Sequence, residues 1–245
     1  MNTLFIRGAH FSWDKIPMDS YLRNIEAIKD LEDISFKSPV TFFVGENGSG
    51  KSTVMEAIAI AYGFNPEGGS WNYSFSTRNT HSELWDATGL SRGPYKPSWG
   101  YFLRAESFYN VATKEEEYST SGGSGSYVPK EYHLRSHGES FLAMAQDNFK
   151  ANSIFLLDEP EAALSPQRQL TLMIDIVNSV RDGSQFIIAS HSPILLGMPE
   201  AQILSFDGGT IHPIAYEDTD SFKLTSMFIN DRDNILQKLL GDKTF

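Results

Sequence analysis

Cysteine is absent from the 245 residues. That excludes disulfides, thiol nucleophiles and cysteine-ligated zinc, and it is compatible with a reducing compartment. Positive charge is scarce: 20 Lys and Arg stand against 31 Asp and Glu, a formal charge of -11. The chain therefore lacks a general basic footprint, and its scattered Lys and Arg form no basic helix. A nucleic-acid partner is left open but is not indicated by the charge. No run approaches the ~18–20 apolar residues of a membrane span, so no membrane insertion is expected. Met1 to Asp14 lacks a basic segment followed by an apolar one, so no secretory leader is expected and the chain reads as cytoplasmic. Hydrophobic residues make up 40% of the chain, enough for a packed core. At ~100–200 residues per domain, a single domain over residues 1–245 is expected.

The apolar pattern outlines the elements. Leu4-Phe5-Ile6 suits a strand, and Leu22, Ile25, Ile28 and Leu31 recur at helical spacing, which predicts a short amphipathic helix. Ile34-Ser35-Phe36 and Val40-Thr41-Phe42-Phe43-Val44 read as strands, the second buried on both faces. A helix follows from Ser52 to Tyr62, with Gly63 as its stop. Residues 64–100 have no clear period and read as loops with short elements. Tyr101-Phe102-Leu103 is a further strand, and the stretch from about 114 to 130, with its STSGGSGS run, reads as a flexible loop. Then come a strand at Ile154–Leu157, a helix carrying Leu170, Met173, Ile174, Val177 and Val180, and a strand at Phe186–Ala189. Fully apolar strands alternating with helices predict a parallel sheet. Asp207-Gly208-Gly209 between Ile203–Phe206 and Ile211 signals a hairpin, and Phe228, Ile235, Leu236, Leu239 and Leu240 predict closing helices.

Gly45-Glu46-Asn47-Gly48-Ser49-Gly50-Lys51-Ser52 matches G-x-x-x-x-G-K-[ST] in full. A buried strand precedes it and a helix follows, as phosphate binding requires. The glycines let the backbone curl so that N–H groups from Glu46 to Thr53 can point at phosphates, and the helix N-terminus adds partial positive charge. Lys51 would reach the β- and γ-phosphate oxygens, and the Ser52 hydroxyl would ligate Mg2+. Downstream, the Ile154–Leu157 strand ends in Asp158-Glu159. Asp158 can hold the Mg2+ shell, and Glu159 can polarise an attacking water.

With these two motifs in place the chain resembles the ABC-type ATPases, and the resemblance covers most of its length. Pro160-Glu161-Ala162-Ala163-Leu164-Ser165-Pro166 looks like the family's D-loop, and Ser190-His191-Ser192 stands where the family places a switch histidine. Ser136-His137-Gly138-Glu139-Ser140 occupies the place of the signature, keeping only its Ser and second Gly. The family's Mg2+-coordinating Gln is missing from Phe102–Phe108, and Glu106 stands as the candidate replacement. Within the family, strings such as FFVGENGSGKST, SHGESF and LLDEPEAALSP are most similar to the SMC/RecF-like branch and to small stand-alone bacterial ATPases. About 30 residues separate Glu106 from Ser136, too few for a long coiled coil.

The resemblance implies an α/β P-loop fold, an ABC-ATPase-like head with a largely parallel central sheet flanked by helices and an antiparallel N-terminal β portion. It implies an ATPase using ATP and Mg2+, with Glu159 and His191 catalytic and with Ser52, Asp158 and Glu106 around the metal. It further implies an ATP-dependent homodimer in which Ser136, Gly138 and Glu139 face the partner's nucleotide. The acid at Glu139 would oppose anion binding unless a cation such as Arg135 or Arg104 offsets it. Arg78 is a candidate phosphate-approaching residue, and Trp13 and Tyr21 are candidates to stack on adenine or simply to pack. His10, His81, His133, His137 and His212 show no metal-ligand spacing. The rival readings are a transporter nucleotide-binding subunit, a dimer switch with negligible turnover, and a small-molecule kinase. DNA repair, phage defence and regulation of a neighbouring protein all suit a bare head as its output.

Overall fold

A computed structural model describes residues 4–71, 82–104 and 137–241. The loop expected over about 114–130 and the candidates Arg78, Glu106, Arg135 and Ser136 lie outside the described residues.

The central sheet has seven strands. In chain order they are β3 (Val40–Val44), β4 (Gly69–Ser70), β6 (Trp99–Arg104), β7 (Ser153–Asp158), β8 (Gln185–Ala189), β9 (Gln202–Ser205) and β10 (His212–Pro213). Across the sheet they run β10-β9-β3-β8-β7-β6-β4. The five inner strands are parallel, and the two short edge strands are antiparallel. A separate antiparallel sheet, β2-β1-β5, is built from β1 (Ile6–Phe11), β2 (Asp33–Ser35) and β5 (Thr88–Arg92). Both the largely parallel sheet and the antiparallel N-terminal portion are as expected.

All residues of β3, β7 and β8 are buried, and their side chains alternate between two cores, as the two-residue period of a strand demands. Phe43, Leu156 and Ile187 pack with α1 (Lys51–Tyr62) and the antiparallel sheet. Phe42, Phe155 and Phe186 pack with three other helices. These are α2 (His137–Asn148), α3 (Pro166–Arg181) and the short α4 (Pro193–Leu196). Gln185, buried at the start of β8, ties the two sheets together. Its Oε1 accepts from Phe5 N at 2.8 Å and Ile6 N at 2.9 Å, while its Nε2 donates to Ile6 O at 2.8 Å.

One expectation changes. The stretch from Leu22 to Leu31 is not an α-helix: a 3-10 turn spans Tyr21–Asn24, Ile25 is extended at ψ 105°, and turns follow. Its periodic residues are nonetheless turned inward, with Leu22, Ile28 and Leu31 buried. Burial, which the pattern reports, was right, but the helical backbone was not. On α3 the most buried residues are Leu172, Ile176 and Ser179, whereas Leu170 and Ile174 face solvent. The closing helices exist as α5 (Asp220–Asn230) and α6 (Arg232–Leu240), yet neither buries a residue. Among the described residues no helix is long and apolar enough to cross a membrane.

Candidate active site

Because β3, β7, β8 and β9 are parallel, their C-terminal ends meet at one edge of the sheet, where α/β folds collect ligand-binding loops. The glycine-rich loop leaves β3 and runs into α1, whose N-cap Gly50 is left-handed at φ 100°. A Cβ at Gly50 would lie 3.1 Å from the Ile28 side chain and 3.2 Å from that of Ile25, so the N-terminal turns press against the back of the loop. Gly45 at φ 143° is as confined: a Cβ there would come within 3.0 Å of Asp207 Oδ1.

Lys51 folds back over the loop. Its Nζ donates to Gly45 O at 2.6 Å and Glu46 O at 2.8 Å. Burial lowers its pKa below the ordinary 10.5, while the charges of Glu159, Asp207, Asp158 and Glu161 oppose that shift. Beside it, Ser52 Oγ donates to Asp158 Oδ1 at 3.0 Å, bringing the helix-start hydroxyl and the strand-end carboxylate together across 106 positions of sequence. A hydroxyl and a carboxylate oxygen are the hard donors that suit Mg2+. Ser49 Oγ in the loop is buried without a hydrogen-bond partner, as a phosphate-binding hydroxyl awaiting its acceptor would be.

Glu159 has φ 51°, a left-handed conformation that costs a non-glycine residue roughly 1–2 kcal/mol. Its N–H, bonded to Ala189 O at 2.9 Å, holds it there. Strained backbone of this kind gathers at functional sites. His191 Nε2 lies 3.9 Å from Glu159 Oε1, too far for a hydrogen bond, and this buried nitrogen has no partner. The backbone N–H of His191 is held by Glu161 Oε1 at 2.5 Å, while Glu161 Oε2 is buried and unpartnered. Glu161 therefore supports the histidine loop.

The signature segment enters at α2, which begins at His137, so Gly138 and Glu139 lie in its first turn. Glu139 pairs with Arg168 of α3 at 2.9 Å. Of the two cations expected to offset this acid, Arg135 lies outside the described residues. Arg104 instead pairs with the buried Glu56 of α1 at 2.6 Å. Trp13 packs: its Nε1 donates to Leu31 O at 2.7 Å and Arg23 covers its ring at 5.6 Å.

Asp207 and Arg168 were missed in the sequence. Asp207 was legible only as a turn residue, yet its Oδ1 accepts from Glu46 N at 2.9 Å in the phosphate loop. No spacing rule links Arg168 to Glu139, because their contact depends on how α2 and α3 cross.

Two family models match the chain, each over about a quarter of its length. Residues 21–86, which hold the phosphate loop, match an AAA domain. Residues 140–197, which hold Asp158, Glu159 and His191, match an AAA domain model named for AbiEii toxin, Type IV TA system. Both models are of AAA domains, and together they take in the phosphate loop and the strand-end acids described above. Loose likenesses are found among solved structures. MJ1267, an ATP-binding cassette of an ABC transporter, is 15% identical at TM-score 0.46, with 95% of this chain and 97% of that one covered. The SMC head domain from Thermotoga maritima is 13% identical at TM-score 0.44, with 86% and 98% covered. UvrA2 from Deinococcus radiodurans is 17% identical at TM-score 0.29, with 38% and 13% covered. Likenesses at this level carry no residue role across. No curated protein matches the chain.

Proposed function

We propose that the chain binds ATP with Mg2+ and hydrolyses it, two copies closing around the nucleotide. The observation that carries this reading is the convergence at one sheet edge of Ser52 bonded to Asp158 at 3.0 Å, Glu159 held at φ 51°, and His191 beside it. The residues from Glu46 to Thr53 receive the phosphates on backbone N–H groups at the start of α1. Lys51 leaves its two loop carbonyls for the β- and γ-phosphate oxygens, and Ser49 Oγ gains its missing partner. Ser52 and Asp158, with Glu106 as a further candidate, hold Mg2+, which neutralises phosphate charge when bound.

In hydrolysis a water oxygen attacks the γ-phosphorus as the bond to the β-phosphate oxygen breaks. Glu159 takes the water's proton, ADP leaves, and the proton passes to the released phosphate. His191 Nε2 meets the γ-phosphate and the water. The second copy supplies Ser136 and the first-turn N–H groups of α2, with Gly138 and Glu139, to the same phosphate. The Arg168 pairing supports this role, since it neutralises the acid that would otherwise repel the anion.

Phosphate release by the wild type, set beside ultracentrifugation of Glu159→Gln, tests the reading. Turnover in the wild type and a nucleotide-dependent dimer in the variant are expected. Mixing Lys51→Ala with Ser136→Arg chains should partly restore activity, because one composite site of the mixed dimer is intact. Full activity in a strictly monomeric protein would overturn the shared site.

A further inference from the structure

We propose that Gln169 is a positioning residue that sets His191 against Glu159. This rests on the reading that the chain hydrolyses ATP, and it adds a residue which that reading does not use. Both groups lie beyond the ends of their strands, Glu159 one residue past β7 and His191 two residues past β8. The last backbone bonds from the sheet are Glu159 N to Ala189 O at 2.9 Å and Ser190 N to Phe43 O at 3.1 Å. From there the histidine loop is held by side chains. Glu161 is one of them, through the His191 N–H.

Gln169, near the start of α3, is the other. Its Nε2 donates to Leu164 O at 3.0 Å, and its Oε1 accepts from Ser192 Oγ at 2.5 Å. A carbonyl only accepts, so the amide nitrogen must face Leu164 and the amide oxygen must face the hydroxyl. Ser192 is buried, and its hydroxyl is fully engaged: the same oxygen caps α4 by accepting from Ile194 N and Leu195 N, both at 3.1 Å. The Leu164 end of the bridge leads back to the base. Leu164 N donates to Glu161 O at 2.9 Å, and Ala162 N donates to Glu159 O at 3.1 Å. One side-chain amide thus ties the turn that begins at Glu159 to the residue that follows His191. The bridge needs a donor at one end and an acceptor at the other, which an amide supplies and a carboxylate does not. His191 Nε2 and Glu159 Oε1, 3.9 Å apart, share no direct bond, so their separation depends on such ties between the loops. A misplacement of about 1 Å at a reacting centre costs on the order of 10²-fold in rate.

The test uses Gln169→Ala and Gln169→Met, the second of which keeps the bulk and removes both bonds. Gln169 is partly exposed, so the fold should survive; circular dichroism and the affinity of a fluorescent ATP analogue check this. We expect both variants to lower kcat about 10- to 100-fold with KM unchanged. Added to His191→Ala, either should cause no further loss, whereas a merely structural weakening would cost the same in both backgrounds. A second readout needs no turnover. The imidazole proton signal of His191, identified by its absence in His191→Ala, should move in both variants while that of His10, on β1, stays. A wild-type rate in Gln169→Met, an undiminished loss in the His191→Ala background, or a His191 signal that stays in place overturns the proposal. A wild type without turnover overturns the ATPase reading instead, and the imidazole signal alone then decides whether Gln169 places the histidine.

Discussion

Asp207 and Glu46, 161 positions apart, are joined by a hydrogen bond of 2.9 Å from the Glu46 N–H to the Asp207 carboxylate. The carbonyl of the same residue Glu46 is held by Lys51. The β9–β10 hairpin thus grips the first peptide of the phosphate loop, and Lys51 grips it from within. Asp207→Ala should loosen the loop and weaken nucleotide binding by about 10- to 100-fold, as the loss of a hydrogen bond to a charged group predicts. Asp207→Asn keeps an acceptor oxygen and removes a negative charge beside the phosphates. Calorimetry should find it binding at least as well as the wild type.

Lys51→Ala should nearly abolish ATP affinity with the fold intact. The wild type should also show a linked proton. Burial lowers the Lys51 pKa in the free protein, so between that lowered value and 10.5 the unfolded chain binds more protons than the folded one. In that window the nucleotide-free protein gains stability as pH rises. Phosphate oxygens favour the charged amine, so binding in the same window should take up a proton and weaken as pH rises. Calorimetry in buffers of different ionisation enthalpy measures the uptake, which should vanish as the pH falls below the lowered Lys51 pKa, where the amine of the free protein is already charged.

Glu159→Gln retains shape and removes the base, so phosphate release should slow by roughly 10²–10⁴-fold while ATP stays bound. Glu161 acts through the His191 loop it holds at 2.5 Å. Glu161→Ala should lower kcat with little change in KM and should add nothing to His191→Ala. Glu161→Gln, which still offers an oxygen to the His191 N–H, should recover part of the rate. A Glu161→Ala loss as deep as that of Glu159→Gln would reassign the base.

Gln185→Ala strands two buried N–H groups and one carbonyl at the join of the sheets. Each buried group left unsatisfied costs about 1–3 kcal/mol, so denaturant melts should show a loss of the order of 3 kcal/mol or more. Little change in the midpoint would mean that water replaces the side chain.

What the sequence determined by itself was local. The phosphate loop, its strand and its helix are contiguous, and their chemistry follows from glycine geometry and a helix N-terminus. The apolar runs of β3, β7 and β8 were legible as buried strands because burial on both faces leaves no polar alternation. Tertiary structure decided what depends on distance along the chain. The Ser52–Asp158 bond arises because parallel strands bring their ends to one edge. Asp207 reaches Glu46 because β9 lies next to β3, and Arg168 reaches Glu139 because α3 packs on α2. Periodicity misled at Leu22–Leu31, where burial without an α-helix satisfied the same spacing. In α5 and α6 the apolar pattern rightly predicted helices, and the packed chain leaves them without a buried residue. A hydrophobic period says that a face avoids water, and only the packed chain says what that face meets.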